Sequence, residues 1–199
     1  MNDNMKTVCV YCSSSNRVKQ LYKDTAAEMG EILAKSGKDV VYGGSKSGLM
    51  GIVADSAIEN GGKVTGVITE HLQDLEVAHQ GLTETHIVDT MHERKTMMTD
   101  KADAFVILPG SLGTLEELAE IATWRQLGLM CKPIVIVNVD NYWDSFMVLI
   151  KRMIEEKCMI EGHLSIFQVV DSPKDVLNAI NSFNPDAFDV KSKWAEEYK

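Results

Sequence analysis

Cysteine, proline and aromatic side chains are scarce in this chain, basic residues are outnumbered, and no apolar run is long. Each shortage excludes something. With four cysteines in 199 residues, stability cannot rest on a disulfide framework, and a chain of this length can bury a full core without one. One domain is therefore expected. Cys9 and Cys12 form a C-x-x-C, but neither a second such pair nor an H-x-x-x-H accompanies it to complete a metal site. Both fall on an expected strand, where residues three apart face opposite sides. Buried, reduced thiols follow, and metal-independent chemistry with no cofactor is expected. No apolar run approaches the ~20 residues that span a bilayer. The opening MNDNMKTVCV lacks the apolar stretch of a secretory signal, so the expected location is cytoplasmic. Twenty Lys and Arg against 29 Asp and Glu leave a net charge of −9. That excludes nucleic acid and anionic membrane as main partners, since both require a basic face. A small phosphate ligand needs only local dipoles and one or two cations, and stays open.

What is present is a regular alternation. Strand-like runs at Thr7–Tyr11, Asp39–Tyr42, Val64–Ile68, Thr85–Val88, Ala104–Leu108, Pro133–Asn138 and Phe167–Val170 alternate with helical patterns. The helices are expected at Tyr22–Ser36, Leu49–Glu59, Met91–Met98, from about Leu115, Trp143–Lys157 and Pro173–Ile180. Such alternation predicts parallel βαβ units: an α/β fold, one doubly wound domain over residues 1–181, with about seven mostly parallel strands and helices on both faces. Residues 182–199 form a polar tail. Residues 69–84 are expected to be a surface loop with a helical turn. In Trp143–Lys157, the residues Phe146, Leu149, Ile150 and Met153 are expected to point inward.

The most informative stretch is AFVILPGSLGTLEELAEIATWRQ, Ala104–Gln126. A buried strand ends at Pro109-Gly110, a turn follows through Ser111-Leu112-Gly113-Thr114, and then a helix begins. A strand, a tight glycine turn and a helix N-terminus together present unpaired N–H groups to an anion. Leu115, Leu118, Ala119 and Ala122 make the expected inward stripe. Glu117 then sits in the first turn, nearly opposite, sharing its side with Ile121 and Trp124. An apolar pair there requires cover, and a partner subunit is the simplest cover. Two further polar turns, at Ser13-Ser14 and Gly43-Gly44-Ser45, also follow strands. All three fall at the carboxyl ends of strands, where open α/β sheets bind ligands. Gly43–Gly48 is not a P-loop, because Leu49 follows Gly48, and the first turn lacks the glycines of a dinucleotide fingerprint. Walker-type ATP hydrolysis and hydride transfer on bound NAD lose support. In Met91–Met98 the expected stripe is Met91 and Met98, with Arg94 and Lys95 on its flanks as anion-binding cations.

VYGGSKSGLMG (Val41–Gly51), MHERK (Met91–Lys95), LPGSLGTLEE (Leu108–Glu117) and TWRQLG (Thr123–Gly128) occur in the order and spacing of one family. The chain resembles the LOG ("lonely guy") cytokinin-activating phosphoribohydrolases, older labels for which read "possible lysine decarboxylases". The likeness covers about Met5 to Ile180. It implies a Rossmann-like homodimer with the site near the interface. It also implies hydrolysis of the N-glycosidic bond of an adenosine-type 5′-monophosphate, with AMP as a second substrate. Arg94 and Glu117 match the family's catalytic pair. By the same resemblance Glu76, Lys95, Thr123 and the loop Gly110, Ser111, Leu112, Gly113, Thr114, Leu115 and Glu116 contact the nucleotide, joined by Ser13, Gly44 and Ser45 from the other turns. Ser111 and Ser45 stand where the family pattern has glycine, a departure expected to touch affinity and substrate range more than the fold. Rival readings are a non-enzymatic nucleotide or molybdenum-cofactor carrier on the same fold, a pyridoxal phosphate-dependent decarboxylase and a structural protein with a decayed site.

Overall fold

Strand β1 (Thr7–Tyr11) divides the molecule into two cores. Val8 and Val10 enter one of them, together with Val40, Tyr42, Ala104 and Val106. Cys9 and Tyr11 enter the other, with Val41, Phe105, Ile107, Ile134 and Ile136. This is the period-two alternation of a strand buried on both faces. The computed structural model describes residues 5–187, apart from the side chains of residues 74–76.

The remaining strands are β2 (Asp39–Tyr42), β3 (Val64–Thr69), β4 (Glu84–Val88), β5 (Ala104–Ile107), β6 (Ile134–Val137) and β7 (Gln168–Val170). They form one sheet in the order β4-β3-β2-β1-β5-β6-β7, and every pairing is parallel. The chain winds outward from β1 to β4, then returns to the far side of β1 as β5. That reversal opens a crevice beyond the carboxyl ends of β1 and β5. Helices α1 (Gln20–Lys35), α2 (Gly48–Glu59) and α7 (Pro173–Asn181) supply the first core through Met29, Leu33, Val53 and Val176. Helices α4 (Met91–Lys101), α5 (Leu112–Gln126) and α6 (Asp144–Glu155) supply the second through Met98, Leu118, Ile121 and Ile150. Between β3 and β4 runs the short α3 (Glu70–Glu76).

Cys9 and Cys12 lie in opposite cores and are unpaired. Burial raises both thiols above their ordinary range, which leaves them protonated and inert. Among the described residues no helix is long and apolar enough to cross a membrane. At the start of the tail, the Phe183 ring lies 4.4 Å from the Arg125 guanidinium. Residues 188–199 lie outside those described.

Sequence expectations fail at three helices, and two of these, α4 and α5, carry charge inward. Helix α5 starts at Leu112, so Glu117 is in its second turn and Gly113 is helical. Its buried stripe is Thr114, Glu117, Leu118, Ile121 and Arg125. A hydrophobic pattern cannot find a stripe that contains Thr, Glu and Arg. Ile121 is 1% exposed and belongs to the core, so it needs no partner subunit. In α4 the buried residues are Arg94, Lys95, Met98 and Thr99, while Met91 is exposed. Leu149 and Met153 on α6 are exposed as well.

The corrected stripe is testable. Ile121→Ala should destabilise the protein by about 2–5 kcal/mol, the range for a large-to-small change in a packed core. A residue on an open face would change stability by about 0.5 kcal/mol or less, and the urea unfolding midpoint distinguishes the two.

Candidate active site

Three loops meet beyond the carboxyl ends of β1, β2 and β5. The Ser13 N–H donates to the Pro109 carbonyl at 3.1 Å, and the Leu49 N–H donates to the Ser13 carbonyl at 2.9 Å. Asn16 adds a side-chain tie, its Oδ1 accepting from the Gly48 N–H at 2.8 Å. The turns that the sequence marked as polar are therefore bonded to one another.

Arg94 enters this junction from α4. A capping box sets the start of α4: the Thr90 hydroxyl accepts from the Glu93 N–H, and Glu93 reaches back to the Thr90 N–H. One turn later Arg94 is 5% exposed. Its Nε donates to the Val67 carbonyl at 2.9 Å, and one terminal nitrogen donates to the Gly43 carbonyl at 3.2 Å. Its other terminal nitrogen lies 3.7 Å from Glu117 Oε1. A buried guanidinium needs this many partners, because desolvating a charge is expensive. Gly43 is required by the same contact: a Cβ there would sit 2.0 Å from the guanidinium.

Lys95, the adjacent residue, is also buried but differently engaged. Its ammonium binds Glu116, and binds Glu120 at 3.0 Å. Burial pulls its pKa down, yet the bonds from the two glutamates outweigh burial and hold it above the ordinary lysine value. Lys95 therefore fastens α4 to α5 as a fully charged cation.

The start of α5 faces the crevice from the other side. Ser111 is its N-cap and makes no side-chain capping bond. The N–H groups of Leu112, Gly113 and Thr114 fall in the first turn, where no intrahelical acceptor exists. Space around Gly113 is open, whereas a Cβ on Gly110 would lie 2.1 Å from Thr114 Oγ1. The Leu112 side chain itself is 82% exposed. Neither serine replacement strains the backbone. Ser111 has φ −97°, and Ser45, fully buried, is absent from the residues of positive φ. The Ser45 hydroxyl accepts from the Ser47 N–H at 3.0 Å.

The structure thus brings Ser13, Gly44, Ser45, Arg94, Gly110, Ser111, Gly113, Thr114 and Glu117 to the carboxyl-end edge of the sheet, with Lys95 and Glu116 as a brace at their side. Leu115 is half-buried on α5. Thr123 lies elsewhere: it is exposed, and eleven residues beyond Leu112 place it about 16 Å along the helix axis. Glu76 ends α3, and its side chain is outside those described. Tyr142 was not foreseen. Its hydroxyl donates to the Gly110 carbonyl at 2.5 Å, and it sits in a loop whose residues carry no glycine or charge pattern pointing to a site. The second oversight is main-chain: nothing in residue types marks the carbonyls of Gly43 and Val67 as anchors. Among the described residues no group of three or more His, Cys, Asp or Glu side chains is placed to hold a metal ion.

Comparison with known proteins gives the chain a family and its fold solved neighbours. The family described as "Possible lysine decarboxylase" matches residues 50–180. The cytokinin riboside 5′-monophosphate phosphoribohydrolase LOG of Oryza sativa subsp. japonica is 38% identical over 192 residues, covering 96% of this chain and 79% of that protein. An Arabidopsis thaliana enzyme of the same name, LOG5, is 36% identical over 196 residues, covering 98% and 86%. Among solved structures, the molybdenum cofactor binding protein of Rippkaea orientalis superposes with a TM-score of 0.69 at 16% identity, over 90% of this chain and 98% of that one. The molybdenum cofactor carrier protein of Chlamydomonas reinhardtii gives the same values. At that identity the likeness is one of fold. Sequence identity of 36–38% over nearly the whole chain is a closer bond, and by it the chain belongs to the LOG family.

Proposed function

We propose that this protein hydrolyses the N-glycosidic bond of cytokinin riboside 5′-monophosphates, releasing the free base and ribose 5-phosphate, and that it also accepts AMP. The observation that carries this reading is the buried Arg94–Glu117 pair, 3.7 Å apart, held beside a helix N-terminus shaped for an anion. The activity for which the relatives are named requires such a combination: a phosphate seat, and a carboxylate one short step away at the sugar.

The phosphate would rest on the N–H groups of Leu112, Gly113 and Thr114 with the Ser111 hydroxyl, at the positive end of α5. That anchoring fixes the ribose over Glu117, five residues along from Leu112. As the C1′–N bond breaks, the bonding pair leaves with the base and C1′ becomes cationic. The Glu117 carboxylate stabilises that cation and takes a proton from the water whose oxygen forms the new bond to C1′. The departing base takes up a proton from solvent, and Glu117 gives the one it took back to solvent, so no net proton is consumed. Arg94, immobilised by two carbonyls, keeps Glu117 aimed and contacts the ribose or phosphate. Lys95 supports the pair through its brace rather than as an unengaged cation for phosphate.

Lysine decarboxylation fits the site poorly. That chemistry uses a lysine amine that forms a Schiff base and is activated by a lowered pKa. Lys95, the buried lysine here, is pushed the opposite way by two carboxylates.

A homodimer completes the reading. Leu112, Val148 and Leu149 are exposed at 82%, 65% and 50%. Leu112 and Leu149 border a cavity of about 420 Å³ that also takes in Gly110, Ser111, Tyr142 and Phe146. An apolar rim of this kind beside the crevice suits a second copy. Thr123, too distant to serve its own crevice, would then serve at the interface.

Three outcomes are expected. Incubated with N6-isopentenyladenosine 5′-monophosphate or with AMP, the protein should release free base, read by chromatography. Glu117→Gln should lower kcat by about 10²–10⁴-fold while nucleotide binding by calorimetry persists; undiminished turnover in that variant would remove Glu117 from its role. Sedimentation at micromolar concentration should give a dimer, and a monomer under those conditions would overturn the interface.

A further inference from the structure

His79 is a buried group that the proposed chemistry does not use. It is 6% exposed, and both ring nitrogens are engaged. The Gly81 N–H donates to Nδ1 at 3.0 Å. The ring proton is therefore on Nε2, which lies 2.8 Å from Asp55 Oδ1 on α2. The Asp55 side chain is itself half exposed, so the pair links a surface helix to an interior imidazole.

The backbone around His79 is fastened to the glycine turn after β2. The His79 N–H donates to the Gly44 carbonyl at 3.0 Å, and the Lys46 N–H donates to the Val77 carbonyl at 2.9 Å. Ser45 and Ala78 form an antiparallel bridge between them. Residues 77–79 thus lie along residues 44–46 as a short strap. The strap holds Val77 at φ 53°, ψ 93°, a region in which a β-branched residue is strained. A strained segment persists only when its surroundings over-determine it. Two backbone hydrogen bonds and the buried imidazole supply that determination.

The strap has two functional neighbours. It begins one residue after Glu76, at the end of α3. It also clamps Gly44 directly beside Gly43, whose carbonyl accepts from Arg94. We propose that His79 is a positioning residue: by latching the strap of residues 77–79 to Asp55, it fixes the glycine turn that seats Arg94 and the end of α3 that carries Glu76. The role rests on the nucleotide-hydrolase reading for its kinetic consequence, but the latch itself does not.

Three variants and two readouts test it. His79→Phe keeps an aromatic ring and loses both ring-nitrogen bonds. His79→Gln retains an amide able to reach Asp55. Asp55→Ala removes the other end of the latch from a half-exposed position on α2. In His79→Phe and Asp55→Ala, amide hydrogen exchange at Lys46, His79 and Gly81 should quicken by about tenfold or more, with exchange in the β1 and β5 cores unchanged. KM for N6-isopentenyladenosine 5′-monophosphate should rise about tenfold while kcat falls less, and His79→Gln should recover part of the loss. Unchanged exchange at these three amides in Asp55→Ala overturns the latch, as does unchanged KM in His79→Phe with a wild type that turns the nucleotide over. If His79→Phe does not fold, Asp55→Ala carries the same comparison. Quickened exchange in a protein inert to nucleotides would keep the latch and discard the hydrolase reading instead.

Discussion

A guanidinium sealed inside a protein has to be surrounded by oxygen, and much of this structure follows from meeting that demand at Arg94. The carbonyl of Gly43 comes from just past the end of β2, that of Val67 from within β3, and the carboxylate of Glu117 from α5. Because β3 runs on beyond its last pairing with β2 at Tyr42 and Gly66, the two carbonyls fall side by side for a side chain arriving from α4. The requirement also fixes residue 43 as glycine, since any side chain would overlap the cation. The brace from Lys95 to Glu116 and Glu120 then holds α4 and α5 at the spacing the pair needs. Burying one charge against one partner seldom stabilises a protein. Here several partners share the task, and the result is a charged pair held in place before any ligand arrives.

Legibility in the sequence followed the physics of each element. Strands buried on both faces read as short apolar runs, so Asp39–Tyr42 and Val64–Thr69 were legible within a residue. The winding of the sheet followed from alternation, and the crevice from the polar turns at strand ends. The C-x-x-C was correctly separated, because a period of two sends Cys9 and Cys12 to different cores. Misreading began where a helix turns polar groups inward. Apolar periodicity assumes that the hidden face is greasy, and α4 and α5 hide Arg94, Lys95, Thr114, Glu117 and Arg125. Met91 and Leu115 were given places that charged neighbours occupy, and Ile121 was turned outward. The same inversion that defeated the pattern marks the site, since buried charge is kept where chemistry or tight coupling needs it.

Glycine-to-serine changes were a second point of tension. Glycine is indispensable only where the backbone adopts positive φ or another atom intrudes on the Cβ position. Ser111 and Ser45 meet neither condition, and Ser45 puts its hydroxyl to use within its own turn. The departures from the family pattern are thus of side chain, with the path of the chain preserved.

The anchors of Arg94 are main-chain oxygens, and a residue's main chain is common to all twenty types. Mutation at position 67 can swap one side chain for another and still present the same acceptor to the cation. Heritable drift can therefore rewrite much of the lettering around this crevice while its charge geometry endures.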